Sequence, residues 1–289
     1  MATTTTPFRF PTGMRLVRLL LGGWTGVVLA LLYLPIGLLI VYSFNADRLN
    51  VRWTGFTFDW YRRLAENRPL RAAAWNSVVI AAWTTVIATA LGTVGGWLLH
   101  RYRWPVRRLV GTLVFLPLIV PEVIMGISLL IFFALTTGLA NDALAAAGVG
   151  PDRFRFGLGH TTVVISHVTF CFPFVLIAVQ ARLAGLDPSI EEAAMDLGAT
   201  PLQAFRLVLV PYLLPAIVSG ALMSFTLSMD ELIVTYFTTG PHSRTLPIEI
   251  YGRVKRGLDP SLNAASTLFV AGTAVLVVAA EYLRRWRRE

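Results

Sequence analysis

Apolar residues fill six long stretches of the chain, at approximately 20–44, 76–99, 109–135, 160–181, 212–237 and 264–283, with shorter polar segments between them. A helix needs about 20 mostly apolar residues to cross roughly 30 Å of hydrocarbon, and all six stretches are long enough. None alternates apolar and polar residues as a barrel strand would. The pattern therefore predicts an all-α membrane protein with six transmembrane helices in one domain over 20–283. It also predicts a disordered N-terminal tail over 1–19, a basic C-terminus over 284–289, and both termini on the same side. The first apolar run is too long for a signal-peptide core and lacks a small-residue cleavage site, so it reads as a retained span.

Two segments depart from this pattern. FDWYRRLAEN, in the polar stretch 44–75, reads as a surface helix within a folded loop. The second is the elbow over 182–211, which contains EEAAMDLGAT. Asp187 and Pro188 form a helix start, with a side-chain acceptor followed by proline at the first helical position. Glu191 and Glu192 fall in or beside the first turn, where negative charge suits the helix dipole. Gly198 can take the left-handed conformation that ends a helix. Thr200, Pro201 and Gln203 restart it as cap, first position and capping-box partner. Pro211 marks entry to the fifth span. The expectation is two short helices meeting at a fixed angle; the plain alternative is an ordinary amphipathic loop.

Composition supports a membrane protein: 55% of residues are hydrophobic and only 14% charged, and the mean hydropathy is +0.65. The net charge of +9 does not indicate nucleic acid, because the arginines flank apolar spans. Dense clusters at Arg101, Arg103, Arg107 and Arg108, and at Arg284, Arg285, Arg287 and Arg288, fall on one side of a six-span topology. The positive-inside rule makes that side cytoplasmic, so both termini and the elbow are expected in the cytoplasm. Over the whole chain basic residues divide almost evenly between the sides, partly because the long 44–75 loop is itself basic. The single cysteine, Cys171, permits no intrachain disulfide and leaves the redox compartment open.

The elbow carries a more specific signal. Glu192-Ala193-Ala194, three residues, Gly198, nine residues and then Val208-Leu209-Val210-Pro211 closely resembles the EAA motif of ABC importer permeases, with valine in place of isoleucine at 208 and of leucine at 210. The resemblance implies the type I importer permease (MetI-like) architecture, in which this loop is a coupling helix docking into a cytoplasmic ATPase. Ala193, Ala194 and Leu197 would then supply apolar contact, and Glu191, Glu192 and Asp196 charge. The match narrows to polyamine importers of the spermidine/putrescine type, second permease subunit. It is carried by FNADRLNVRWTGFTFDWYRRL, PLIVPEVIMGISLL and SFTLSMDELIVTYFTTGPHSRTLPIEIYGRVKRGLDPSLNAASTL.

That resemblance implies a non-catalytic subunit in a bacterial inner membrane, embedded in lipid. Its partners would be a second, homologous permease, two cytoplasmic ATPases and an extracytoplasmic binding protein. The chain would bind no cofactor of its own, with ATP and Mg held by the ATPases. The sequence agrees on one point directly. A P-loop requires Gly-Lys before Ser or Thr, and the only lysine is Lys255, in VKRG.

Acids within apolar stretches are expensive to expose to lipid. Glu122 sits beside Pro121, one turn after Pro117, in a helix whose freed carbonyls could line a cavity. Asp230 and Glu231 come about 27 Å along the fifth span from Tyr212 by helical rise, near its external mouth. With Tyr236 and Tyr251 they make a candidate path for a cation, through charge and cation–π attraction. The competing readings are solvated helix-end residues for Asp230 and Glu231, and an internal hydrogen bond or arginine pair for Glu122.

Other features carry no chemistry of their own. Gly92 and Gly96 form a small face suited to helix packing. Trp97, Tyr102, Trp104 and Trp286 suit interfacial anchoring. His100, His160, His167 and His242 lack metal-ligand spacing, and no nucleophile motif is present. An importer permease for another small solute is the nearest alternative. An ion-coupled secondary transporter would leave the EAA spacing unexplained and calls for inverted halves that the sequence does not display. A non-transporting membrane anchor fits poorly with acids and prolines inside the spans.

Overall fold

Long runs of leucine, valine, alanine and isoleucine satisfy their backbone only as helices, and the computed structural model of the chain is helical throughout its main elements. It describes residues 12–47, 52–102, 105–149, 156–187, 189–256 and 260–286. In order these form α1 (Thr12–Tyr42), α2 (Asp59–Glu66), α3 (Arg68–Arg101), α4 (Arg107–Ile119), α5 (Glu122–Ala146), α6 (His160–Leu183), α7 (Ser189–Asp196), α8 (Pro201–Ala204), a π-helical turn at Phe205–Leu209, α9 (Val210–Asp230), α10 (Ile233–Thr238), α11 (Leu246–Arg256) and α12 (Pro260–Trp286). Among the described residues five helical segments are long and apolar enough to cross a membrane: Val17–Tyr42, Arg68–Arg101, Glu122–Ala146, His160–Leu183 and Pro201–Asp230. A shorter apolar stretch, Ser261–Val275, lies within α12.

The chain divides into two compact units. The smaller comprises Met1–Leu64 with Leu258–Val270. In it α2 is the surface helix expected at FDWYRRLAEN. Trp60 is buried there and donates from Nε1 to the Asn45 carbonyl at 2.6 Å. Phe44 stacks on Phe56 with ring centroids 5.2 Å apart.

The larger unit comprises Ala65–Gly257 with Ala271–Glu289. Its centre is a three-helix packing of α3, α6 and α9. Val175 and Val179 of α6 form an apolar core with Leu183, Leu209 and Leu213. The expected packing role of Gly92 and Gly96 is realised here. A β-carbon on Gly92 would lie 2.6 Å from Val175 Cβ and 2.9 Å from the Leu176 backbone nitrogen, and one on Gly96 would lie 3.0 Å from Val179 Cγ1. Gly220 of α9 approaches the same Val175 from another side, where a β-carbon would lie 3.1 Å from its Cα.

Three sequence expectations are corrected. The stretch 109–135 is not one helix: α4 ends at Ile119, Val120 turns extended, and α5 restarts at Glu122 behind Pro121, whose ring cannot continue the hydrogen-bond ladder. The stretch 212–237 is also interrupted, because α9 ends at Asp230 and α10 begins at Ile233. Trp97, expected only as an interfacial anchor, is half-buried and packs on Phe205 at 4.4 Å between centroids, against the apolar core. Positions 1–11 of the expected N-terminal tail, Arg103, Trp104, Pro188 and the residues from 287 onward lie outside the described residues, while 12–19 of that tail belong to α1.

Candidate functional site

Two regions gather the candidate residues, and both lie in the larger unit. The first is the elbow. Asp187 accepts the Ser189 backbone N–H at 3.0 Å, and that bond holds its exposed carboxyl below the usual carboxylate range. α7 runs from Ser189 to Asp196, and Gly198 follows at φ +89, a left-handed conformation that suits glycine. Thr200 accepts the Gln203 backbone N–H at 3.3 Å, and the Gln203 side chain accepts the Thr200 N–H at 2.8 Å. This is the reciprocal capping box anticipated from sequence, and it starts α8 at Pro201. The π-helical turn then leads into α9, with Val210 bonding back to the Phe205 carbonyl five residues earlier. Pro211, which has no N–H, sits at the start of α9.

The elbow's side chains do not all face the same way. Glu192, Ala193, Asp196 and Leu197 are exposed and Ala194 is half-buried; Leu197 is 91% exposed at the tip. Glu191 differs from its expected outward role. It is 9% exposed and accepts Arg101 Nε at 2.9 Å, tying α7 to the end of α3. Beneath them a cavity of about 440 Å³ is lined by Trp97, Arg101, Leu183, Leu186 and both glutamates.

The second region is the break between α9 and α10. Glu231 is not a solvated helix-end residue: it is 6% exposed, and its Oε1 accepts the Val234 backbone N–H at 2.8 Å, opening α10. Asp230 is exposed beside it, and Glu122 is exposed at the start of α5. Glu122, more than a hundred positions earlier in the sequence, and the neighbouring Asp230 both act electrostatically on Glu231, so the start of α5 brings a third acid to the adjacent pair. α5 packs on α10 through Gly126, where a β-carbon would lie 2.6 Å from the Phe237 ring.

The two tyrosines also meet. Tyr236 and Tyr251 make an edge-to-face pair with centroids 6.5 Å apart, and both are exposed. The Lys255 ammonium lies 4.7 Å above the Tyr251 ring, so this aromatic face already carries a primary ammonium group.

α11, which bears Tyr251, is held by polar contacts that sequence reading missed. Asn76 of α3 donates to the carbonyls of His242 and Arg244, each at 3.0 Å, and its oxygen meets His160 Nε2 at 3.0 Å. The Leu246 N–H donates to Ser77 at 2.8 Å, and Arg253 bonds both Glu249 and Asn67. These partners are at least 84 positions apart for each link to Asn76, so no local pattern announces them.

A helical membrane unit built on a three-helix core, with a capped elbow entering one of those helices, is the fold of an ABC importer permease. Residues 92–289 match the family described as binding-protein-dependent transport system inner membrane component, and the chain belongs to that family. It is the permease component of an ABC importer. It is 38% identical over 268 residues to the spermidine/putrescine transport system permease protein PotC of Escherichia coli (strain K12), covering 93% of this chain and 95% of that one. It is 39% identical over 265 residues to the putrescine transport system permease protein PotI of the same strain, covering 90% of each. Among solved structures it shares its fold with a chain of a bacterial ABC transporter that imports the acidic polysaccharide alginate. There the TM-score is 0.72 at 18% identity, over 94% of this chain and 95% of that one. The MetNI methionine transporter has a similar fold, with a TM-score of 0.61 at 19% identity, over 76% of this chain and 98% of its chain.

Proposed function

We propose that the chain is one of two homologous permeases in an ATP-driven importer of the bacterial inner membrane, moving polyamines such as spermidine and putrescine, or a related small cationic solute. The observation that carries the cationic reading is the meeting of Glu122, Asp230 and Glu231 at the C-terminal end of α9. Aligned peptide dipoles give such an end a partial negative charge, which adds to the field of the three carboxylates. Tyr236 and Tyr251 extend the site with π faces that attract an ammonium group. The similarity to permeases named for spermidine and putrescine supports the same substrate class.

In this reading the elbow is the coupling helix. Exposed Leu197, with Ala193 and Ala194, offers apolar contact to a cytoplasmic ATPase, and Glu192 and Asp196 offer polar contact at its margin. Glu191 fastens the elbow to α3 instead. ATP and Mg act on the two ATPases, and this chain performs no covalent chemistry. Nucleotide binding draws the ATPases together; the elbow transmits that motion, and the cavity passes between inward- and outward-facing states. An extracytoplasmic binding protein delivers the solute. Both termini and the elbow share the cytoplasmic side.

The test is spermidine uptake by the reconstituted complex after replacing the three acids together, E122Q/D230N/E231Q, normalised to assembled complex. We expect uptake to fall at least tenfold, about what losing one or two charge-assisted hydrogen bonds implies. Unchanged uptake would remove the cation path. A neutral solute retained by the cognate binding protein in a panel of polyamines, amino acids and sugars would favour the alternative, a permease for another small solute.

A further inference from the structure

His167 is the eighth of the 24 residues of α6, a mostly apolar helix, and is completely buried. An imidazole removed from water needs a partner for each ring nitrogen, and it has both. Nδ1 is 2.7 Å from the Ser228 hydroxyl and Nε2 is 2.7 Å from the Thr235 hydroxyl. Ser228 lies on α9, just before the break, and Thr235 lies on α10, just after it. One side chain from a third helix therefore staples both sides of the interruption.

The bonding has a direction. Thr235 Oγ1 also lies 3.0 Å from the Glu231 carbonyl, an acceptor that can take its only proton. With that bond made, the Thr235 oxygen accepts from His167, and the matching tautomer carries its hydrogen on Nε2. In that tautomer Nδ1 accepts the Ser228 proton. The chain runs from Ser228 through His167 and Thr235 to the backbone of Glu231, with each hydroxyl and the imidazole donating once and the Glu231 carbonyl as terminal acceptor. Glu231 closes the arrangement by accepting the Val234 N–H on its carboxylate.

We infer that His167 is a positioning residue for transport: it fixes the register of the α9–α10 break and so holds the Glu231 carboxylate where the cation passes. This rests on the cation path proposed above. Glu231 follows the last residue of one helix and precedes the next by two positions, so its own backbone is not held by a continuous helical ladder. The Ser228–His167–Thr235 staple supplies that hold from outside. The role is distinct from substrate contact, because both imidazole nitrogens are already engaged by protein hydroxyls.

The experiment is a double-mutant cycle on the complete reconstituted complex, measuring spermidine transported per second at saturating loaded binding protein. Residues acting as one unit give non-additive losses. We expect E231Q and H167A each to lower turnover about tenfold, and H167A/E231Q to lower it about tenfold rather than about a hundredfold. The binding-protein concentration giving half-maximal rate should stay at the wild-type value in H167A, since the docking surface is untouched. H167Q, whose amide can still donate to Thr235, should recover most of the turnover. T235V removes the hydroxyl at constant shape and should reproduce H167A.

Multiplying losses in the double variant, or wild-type turnover in assembled H167A and T235V, would overturn the inference. If H167A does not assemble, T235V alone and T235V/E231Q are read by the same criterion. Wild-type turnover in E231Q would instead remove Glu231 from the path, a failure of the underlying function that the cycle separates from failure of the staple.

Discussion

Arg101 donates from Nε to Oε1 of Glu191 at 2.9 Å, joining the last residue of α3 to α7 across 90 positions of sequence. The Arg101 side chain is 38% exposed and that of Glu191 12%. The pair is partly screened, and its contribution to stability is small, about 0.2–1 kcal/mol. It nevertheless ties the elbow to one of the three core helices. We expect R101Q and E191Q to leave the complex assembled and close to wild-type in thermal stability, while lowering solute moved per ATP hydrolysed. The reversed pair R101E/E191R should recover part of that ratio. An unchanged ratio in all three would show that the elbow transmits force without this tie.

Leu197 exposes 91% of its surface at the tip of the elbow. An apolar side chain so displayed is suited to insert into a partner's pocket, where truncating a central contact costs about 2 kcal/mol or more. L197D should weaken capture of the ATPase subunits at least tenfold in co-purification, and L197M should retain it. Equal recovery of ATPase with both variants would count against docking through this residue.

Gly198 adopts φ +89. An L residue with a β-carbon pays roughly 1–2 kcal/mol in that conformation, while asparagine tolerates it better. G198A should raise hydrogen exchange over α7 and the following turn, with G198N intermediate and G198P, which cannot take a positive φ, the most severe. Identical exchange in all four proteins would mean that the turn does not depend on the left-handed residue.

Two glycines test the packing of the core. At Gly92 a β-carbon would meet the Leu176 backbone at 2.9 Å, whereas at Gly111 in α4 there is nothing within 4 Å. G92A should lower the midpoint of thermal unfolding by an amount equivalent to about 1–3 kcal/mol, the usual range for overpacking. G111A should be neutral or stabilising by about 0.5–1 kcal/mol, as for any glycine replaced inside a helix. Equal effects at the two sites would contradict the close approach of α3 and α6.

Local chemistry was the most legible part of the chain. The capping box of Thr200 and Gln203, the stop at Gly198 and the surface helix around Trp60 each depend on residues a few positions apart, and the sequence specifies all three. Helix breaks were harder to read. At Pro121 the signal was present, but a long hydropathy window averages across it and merges α4 with α5. At Glu231 no proline or glycine marks the interruption; the only trace is a pair of adjacent acids in an apolar run.

Non-local contacts were not legible. Glu191 read as an outward charge because its partner, Arg101, lies on another helix. Tyr236 and Tyr251 are both aromatic candidates by residue type, but only the fold brings their rings edge to face. His167 lacks metal-ligand spacing, so its surroundings in sequence point to no role. The better question was energetic: a histidine inside an apolar helix must find two polar partners, and Ser228 and Thr235 were both available in the sequence.

Val175 touches the space left by Gly92 on one flank and by Gly220 on another. It is a rivet through three plates. Bending any one of α3, α6 or α9 alone would shear against it, so the three helices resist moving separately at this level. Enlarging this valine would require simultaneous concessions from two neighbours that have no methyl left to give.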